Sequence, residues 1–486
     1  MRCRRAPILL TALGLATAGA HGAALGQTPG PATNATAGKL TLTTNSSEAK
    51  AEFWKGLEEW QSGAYSNGVR HFRRAYALDH GFALPRVFSM GENEARQHPD
   101  DLGRAIGDAA RQSAQEGLLA LMWREKALGH FTEEKALLRA AMQLMPREPA
   151  PAVEYLWAST GDGTNTKQVL DSAHAFLVRY PSYTPLSFVA TYLTMVAGDT
   201  AGAFRAAEEL AGAAPGSGVT FGYYGSILQQ AGRYDDAATQ YRKGMAAATH
   251  PDYGWDPASA LAEMYFLRGR YVDARGVATE ALAHASDAAD SATYLAEVAG
   301  TWYATGDSRR GMQFLEQARA KNATVGSLQN PVPVDYMIAE AAALYGDLGA
   351  MRAALARIRP LTAQDTAVLL ANTADDYAYA GQLDSVMAYT ARLEKISAVP
   401  WAAGIAHHPR AVALAAIKQC ARARAEFAQA PDTSNFELQF TRADCEFQLG
   451  NRAAAIALRD RAIASQEFSL FDPAYVRQRV RLAQMK

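Results

Sequence analysis

The sequence has no excess of basic residues: its 486 residues include 48 Lys and Arg against 49 Asp and Glu. This balance excludes nucleic-acid binding through bulk charge, because such binding needs many cationic side chains that release counterions from phosphates. Long apolar runs are missing as well: after residue 26, none approaches the roughly 18–20 residues that cross a bilayer. Clusters of β-branched residues are few while alanine is abundant, which favours helix over sheet. A content of 49% hydrophobic and 20% charged residues excludes global disorder.

Residues 1–26 have the composition of an export signal. Three arginines lie within Met1–Arg5, and an uncharged run of apolar and small residues follows over 7–20, which is the order of a secretory signal peptide. The alternative is a core helix. We predict that the segment is removed, with cleavage either before Gln27 or after Ala20, and that the mature protein is periplasmic or secreted. Residues 27–48, which are rich in Thr, Ala, Asn, Pro and Gly, are predicted to form a flexible linker.

Signatures of catalysis are also absent from the sequence. Neither His-Glu-x-x-His nor Gly-x-Ser-x-Gly occurs, so the metalloprotease and esterase patterns are not matched. Residues 161–167 look superficially like a phosphate loop, but no glycine precedes the lysine, and an interhelical turn is predicted instead. His407 and His408 are adjacent without a Cys or carboxylate at ligand spacing, and a polar turn is predicted there too. The sequence therefore predicts no enzyme, no cofactor and no metal site.

One glycine pattern recurs along almost the whole chain. Glycines that precede a short polar or aromatic residue and then an alanine are spaced by about 35 residues or twice that, and a period near 34 is typical of paired helices stacked in a solenoid. The glycines of this pattern are Gly63, Gly129, Gly163, Gly198, Gly232, Gly269, Gly306, Gly346, Gly381 and Gly450.

The period around Gly232 shows the physical basis of the repeat. Phe221, Tyr224 and Leu228 recur at helical spacing and form one apolar stripe. Gly232 ends this first helix, because a left-handed residue closes the last turn. Ala237 is small, which lets a second helix approach the first closely.

These residues resemble a known repeat family. Gly225, Gly232, Tyr234, Ala237, Tyr241 and Pro251 resemble the tetratricopeptide repeat signature, and the first unit is similar to repeats of bacterial signalling proteins. The resemblance implies an all-α fold, an α-α superhelical solenoid of about twelve helix pairs over residues 49–471. Residues 472–486 are predicted to form a C-terminal capping helix. With its export signal, the chain is identified as an exported bacterial member of this family.

The resemblance also implies a binding surface. In tetratricopeptide repeats the first helix of each pair lines a concave groove, and the corresponding positions here are aromatic or acidic. Such anchors suit an extended peptide with apolar and basic side chains, although the aromatic residues could instead pack between neighbouring repeats. The predicted groove residues are Phe53, Trp60, Trp123, Tyr192, Glu263, Phe266, Tyr303, Glu340, Asp375, Tyr379, Asp444 and Phe447.

Two cysteines remain after removal of the signal segment. By the repeat alignment, Cys420 lies near the start of one second helix and Cys445 lies midway along the next first helix. Those helices should be antiparallel neighbours, so a structural disulfide is geometrically possible in an oxidising compartment. The alternative is that both are buried free thiols.

The function predicted from these patterns is that of a non-enzymatic scaffold that binds a protein or peptide in its groove. The alternatives are a structural subunit of a cell-envelope assembly that binds through its flanks or ends, and, less favoured, an enzyme built on a helical superhelix. Neither nucleic acid nor a membrane span in the mature chain is expected. The sequence leaves the partner and the oligomeric state open.

Overall fold

The computed structural model describes residues 38–90, 95, 98–161, 163–247, 256–285, 287–324, 334–360, 363–399, 401–430, 436–464, 473 and 476. Every regular element in these ranges is a helix, so the predicted all-α class is confirmed. The described chain divides into two compact units: unit 1 extends to Pro257 and unit 2 begins at Ala258. Within the same ranges, no helix has both the length and the apolar composition of a membrane span.

The helices of unit 1 follow one another in pairs. They are α1 (Ser47–Gln61), α2 (Tyr65–Leu78), α3 (Ala83–Ser89), α4 (Pro99–Gln112), α5 (Ala114–Leu128), α6 (Phe131–Leu144), α7 (Ala150–Gly161), α8 (Thr166–Arg179), α9 (Thr184–Val196), α10 (Thr200–Ala213), α11 (Gly218–Gln230) and α12 (Tyr234–Ala247).

The helices of unit 2 continue the same order. They are α13 (Pro257–Leu267), α14 (Tyr271–Ala283), α15 (Ala288–Ala304), α16 (Ser308–Asn322), α17 (Val334–Leu344), α18 (Leu348–Leu355), α19 (Ala363–Tyr379), α20 (Leu383–Leu393), α21 (Ala402–Ile405), α22 (His407–Ala416), α23 (Cys420–Gln429), α24 (Phe436–Gln448) and α25 (Arg452–Ala464). Leaving aside the short α21, the described helices of the two units form twelve pairs, in agreement with the number expected from the repeat.

The turn within each pair depends on a left-handed residue. Gly232 has a φ of 76°, and the other glycines of the repeat pattern also have positive φ. The Gly232 N–H donates to the Gln229 carbonyl at 3.0 Å and the Arg233 N–H donates to the Leu228 carbonyl at 2.9 Å. These bonds satisfy carbonyls that the helix end would otherwise leave without a donor. Glycine adopts this conformation without the steric penalty of a Cβ atom.

Lys418 takes the place of a turn glycine that the sequence pattern lacks between Gly381 and Gly450. Its φ is 63°, the one positive value of a non-glycine residue in the described chain. The next amide, that of Gln419, donates to the Leu414 carbonyl at 2.8 Å, as in the other turns. The repeat therefore continues through this pair with a strained lysine.

Close approach of the paired helices is visible in α11 and α12. A Cβ atom added to Gly225 would lie 2.6 Å from the ring of Tyr241, so only glycine fits there. Tyr241 is fully buried, and its hydroxyl donates to the Gln229 side-chain oxygen at 2.8 Å. Ala237 is also fully buried, as the sequence predicts for the contact side of the second helix.

Residues 38–46 differ from the flexible linker that the composition predicts over 27–48. Leu40 and Leu42 are buried, the Thr43 N–H donates to Glu116 at 2.8 Å, and the Arg147 N–H donates to the Gly38 carbonyl at 2.7 Å. Two alternating leucines thus anchor this segment on unit 1, although the average composition is polar. Residues 1–37 lie outside the described residues.

The predicted C-terminal cap falls almost wholly outside the described chain. Of residues 472–486, only Pro473 and Val476 are described; both are helical and Val476 is fully buried. A capping role over 472–486 therefore stays a prediction.

Candidate functional site

The inner side of each unit is the side on which its first helices contact one another. In unit 1 these helices converge closely, since α1 contacts α7 and α9, both of which are far from α1 in sequence. Trp60 of α1 packs on Trp123 of α5, with ring centroids 4.6 Å apart, and Phe88 of α3 stacks on Trp123 at 4.7 Å. Aromatic rings therefore fill the inner side of unit 1.

A polar network, formed by Gln61, Lys126, Glu154 and Tyr183, joins the same helices. The Gln61 amide donates to Glu154 at 3.0 Å, and the Tyr183 hydroxyl donates to the Gln61 side-chain oxygen at 2.6 Å. The Lys126 ammonium lies 2.6 Å from the other Glu154 oxygen, and the two side chains are 13% and 4% exposed. The network ties α1, α5, α7 and the start of α9 into one core.

The charge of Lys126 is held by its neighbours. Burial lowers the pKa of Lys126, but the Glu154 and Glu134 carboxylates outweigh this effect, so that the pKa lies above its ordinary value. The ammonium also lies 5.4 Å from the centre of the Trp60 ring, a cation–π distance. The lysine is therefore charged and fixed, and it does not project into an open groove.

Three predicted groove residues of unit 1 are core residues in the structure. Phe53, Trp60 and Trp123 are 0%, 5% and 1% exposed, so the groove prediction is corrected for them. The physical reason is aromatic packing between helices, the alternative that the sequence left open: Phe53 packs on Phe72 of α2 and Phe88 of α3, and Trp60 packs on Trp123 of α5. Tyr192 is half-buried and contacts Trp157, with ring centroids 5.4 Å apart.

Two predicted groove residues of unit 2 are also core residues. Phe266 is 2% exposed and packs on Tyr271 at 5.0 Å. Tyr303 is 5% exposed, and its ring lies against Gly311 of its partner helix, where an added Cβ atom would come within 2.7 Å. These aromatic rings fill the space within a helix pair, the alternative that the sequence left open.

The remaining predicted residues of unit 2 stay accessible. Asp375, Tyr379 and Asp444 are half-buried, as are Glu263 and Glu340, while Phe447 is 62% exposed. Successive first helices are in contact, α17 with α19, α19 with α22 and α22 with α24, so Glu340, Asp375 and Asp444 lie on helices of one contiguous row. Glu263 lies earlier in the chain, on α13.

The tyrosines of this region lie in a negative environment. Burial raises the pKa of Tyr336 to about 12, with contributions from Asp365 and Asp376. Burial raises the pKa of Tyr303 well above its ordinary value, and Tyr345 and Glu340 add to the effect. Both phenols are therefore neutral at physiological pH.

The adjacent histidines form two separate carboxylate pairs. His407 Nδ1 lies 2.7 Å from Glu426, and His408 Nδ1 lies 3.2 Å from Asp375. Within the described ranges, no three His, Cys, Asp or Glu side chains are grouped as a metal site would require. Both imidazoles thus serve the packing of α22 against its neighbours.

Cys420 and Cys445 form a disulfide that links α23 to α24, and their Cα atoms lie 5.0 Å apart. Both residues are buried. The bond joins the second helix of one pair to the first helix of the next, the arrangement that the repeat alignment makes possible. It fixes α24, and with it Asp444, relative to the preceding pair.

The polar network of unit 1 was not among the residues predicted from the sequence. Gln61 and Glu154 are 93 positions apart, and Lys126 and Glu154 are 28 apart. No local motif connects them, and a charged residue on a first helix looks the same in sequence whether it faces solvent or a second carboxylate.

Comparisons with known proteins found similarity at the level of structure alone. No family model matches the chain, and no curated protein matches it. Among solved structures, a thermophilic TPR protein of Thermus thermophilus is 20% identical, with a TM-score of 0.32 over 37% of this chain and 96% of that one. The APC/C hetero-tetramer Cut9–Hcn1 is 12% identical, with a TM-score of 0.40 over 85% and 76%. A tetratricopeptide repeat protein from Parabacteroides merdae is 10% identical, with a TM-score of 0.33 over 58% and 96%.

The geometry of the chain itself establishes its fold. Helices follow in pairs, a left-handed residue closes the turn within a pair, and small residues allow the paired helices to touch. This chain is a tetratricopeptide-like, all-α repeat protein.

Proposed function

We propose that this chain is a non-enzymatic scaffold that binds a protein or peptide through the inner side of unit 2. One observation carries the proposal: Glu340, Asp375, Tyr379 and Asp444 remain half-buried on contacting first helices. In unit 1 the corresponding side is filled by the Trp60 and Trp123 rings. Binding is therefore assigned to unit 2 alone.

The mechanism of binding is surface complementarity on a rigid support. Tyr379 supplies an aromatic ring, which can contribute about 2 kcal/mol to binding when a partner buries it fully. Asp375 Oδ1 lies 3.2 Å from His408 Nδ1 on the next first helix, and Asp444 accepts a hydrogen bond from the Gln448 amide at 3.4 Å.

Export of the chain is part of the same proposal. The Cys420–Cys445 disulfide supports it, because structural disulfides persist in oxidising compartments and are rare in the cytosol. The arginine-rich start and apolar run of residues 1–26 are the second support.

A photo-crosslinking amino acid at Tyr379 tests the site of binding. The crosslinker is placed in the full chain, which is expressed in its native host, and partners are identified by mass spectrometry. The matched control carries it at Val272, which is 76% exposed on second helix α14 of the same unit. A partner crosslinked from Tyr379 but not from Val272 supports the proposal; the reverse result contradicts it.

A structural subunit of a cell-envelope assembly is the second candidate. It is favoured by apolar side chains on the last described helix pair, where Phe447 is 62% and Ile456 is 42% exposed. Isolated exposed apolar residues are common on proteins, but these two lie on α24 and α25, near one end of the described array. Crosslinks from Ile456 to a fixed stoichiometric partner, with none from Tyr379, would select this candidate.

A further inference from the structure

Residues 38–46 cross unit 1 as an extended segment that belongs to none of the helical pairs. Exposure alternates along the segment: Leu40, Leu42 and Thr44 are buried, and the residues between them are exposed. A period of two is typical of an extended chain that lays one face on a surface. The segment therefore contacts unit 1 in the manner of a bound peptide.

The surface under the segment is a channel that runs over helix ends. One wall is the start of α5, with Gln115 and Glu116, and the other wall is the turn between α6 and α7, with Arg147 and Glu148. We call these four residues the channel walls. The inner side, for which binding is assigned to unit 2, is formed instead by first helices in contact. The channel is therefore a separate surface.

The channel walls bind the main chain of the segment. The Gln115 side-chain oxygen accepts a hydrogen bond from the Thr41 N–H at 2.9 Å, and the Gln115 amide donates to the Lys39 carbonyl at 3.1 Å. From the opposite wall, Glu148 accepts from the Leu40 N–H at 3.4 Å. Main-chain hydrogen bonds are the source of affinity when a protein binds an extended peptide in this way, and they do not depend on the side chains of the peptide.

Glu116 requires an occupant in the channel. It is fully buried, and its carboxylate accepts hydrogen bonds from the Thr43 N–H at 2.8 Å and from the Thr43 hydroxyl at 2.9 Å. A buried carboxylate that lost these donors would carry an uncompensated cost of desolvation. Because the first bond comes from the main chain, any extended segment in the same register can supply it.

The side chains of the segment define the pattern that the channel accepts. Leu40 and Leu42 are 7% and 6% exposed and join the apolar core of unit 1. The Thr44 hydroxyl donates to Asp79. At the entry to the channel, Gly38 has a φ of 85°, which suits glycine. The accepted pattern is therefore Gly-x-Leu-x-Leu-x-Thr, in which x is an exposed residue.

We propose that the channel is a second binding site, which takes an extended polypeptide segment of the pattern Gly-x-Leu-x-Leu-x-Thr, and that residues 38–46 occupy it as a resident ligand. A partner segment makes the same main-chain bonds and displaces the resident one. Because the resident segment is tethered to α1, it competes at a high effective concentration. The site does not depend on the proposed function, which uses unit 2.

The test uses the full chain and a fluorescein-labelled peptide of residues 38–46, with binding followed by anisotropy. The release variant, Leu40→Asp/Leu42→Asp, puts charges at the two apolar positions of the resident segment and leaves the channel walls intact. Its matched control, Thr41→Asp/Asn45→Asp, adds the same charge at exposed positions and leaves the leucines in place. The control probe is the same peptide with both leucines replaced by Asp.

We expect the release variant to bind the peptide at least about tenfold more tightly than the wild type or the matched control, because its channel is no longer occupied. The control probe should bind far more weakly. Addition of Gln115→Ala to the release variant should weaken binding about tenfold, because two main-chain hydrogen bonds are lost. A release variant that folds, as judged by thermal unfolding, but does not bind the peptide overturns the proposal. Equal binding by the release variant and the matched control also overturns it.

Hydrogen exchange of the unaltered chain tests the same proposal if the release variant does not fold. The amides of Thr41 and Thr43, which donate to the channel walls, should exchange faster as unlabelled peptide is added, because the resident segment is displaced. The control probe should leave their exchange unchanged. Protection that stays constant up to about 1 mM peptide, the order of the effective concentration of a short tether, overturns the proposal.

Discussion

Replacement of Lys126 by Met tests whether the inner side of unit 1 is a closed core. Methionine keeps an unbranched stem against Trp60 but removes the ammonium that lies 2.6 Å from Glu154. The Glu154 side chain is 4% exposed, so its carboxylate would stay buried without its cation. Removal of one partner of a buried ion pair costs about 3–5 kcal/mol. We expect unit 1 to lose about that much stability.

The assay is urea unfolding followed by tryptophan fluorescence and far-UV circular dichroism. The double variant Lys126→Met/Glu154→Gln should recover part of the loss, because Gln keeps an acceptor for the Gln61 amide and leaves no buried charge. The matched control is Lys167→Met. Its ammonium lies 3.1 Å from Asp171, but the two side chains are 81% and 63% exposed, so a change within about 1 kcal/mol is expected. Equal stability losses for Lys126→Met and Lys167→Met would refute the reasoning.

Three further predictions follow from single features of the fold. Lys418→Gly should stabilise the protein by about 1 kcal/mol, and Gly232→Val should destabilise it by about 1 kcal/mol or more, because both positions have a positive φ that suits glycine. Urea midpoints of unfolding that move in the opposite directions would contradict this. Reduction of the Cys420–Cys445 disulfide, which closes a separation of 25 residues, should cost about 2–4 kcal/mol, and an unfolding midpoint that does not respond to reductant would argue against the bond. Glu59 and Glu52 raise the pKa of His71, while burial and Lys55 oppose the shift. The contribution of His71 to the stability of the protein is therefore complete below its pKa in the unfolded state, and it is lost as pH rises through its pKa in the folded state. The stability difference between wild type and His71→Gln should therefore shrink between weakly acidic and mildly alkaline pH, and a difference that grows would be evidence against it.

The sequence was sufficient for the paired-helix fold because each repeat carries its own signal. A glycine at the turn, such as Gly232, and a glycine at the helix contact, such as Gly225, are required by local geometry. Local requirements of this kind recur in every repeat, so they are visible in the sequence alone. Lys418 shows the limit, since a lysine here adopts the left-handed conformation that the pattern assigns to glycine.

The candidate site was harder to predict because burial of a first helix depends on distant helices. Trp60 and Glu340 both occupy groove positions in the repeat alignment, yet Trp60 is covered by Trp123 and Glu340 stays half-exposed. What distinguishes them is the packing of Trp123, from the distant helix α5, on Trp60, and this contact has no local sequence signal.

Carboxylate footprinting tests most directly whether unit 2 binds through its inner side. The full chain is labelled with a water-soluble carbodiimide and an amine, with and without the partner that crosslinks from Tyr379, and modified carboxylates are located by mass spectrometry. The account predicts that the bound partner shields Glu340, Asp375 and Asp444 and leaves Glu316 and Asp384 labelled as before. Shielding of Glu316 and Asp384 instead, or equal labelling of all five carboxylates with the partner bound, would contradict it.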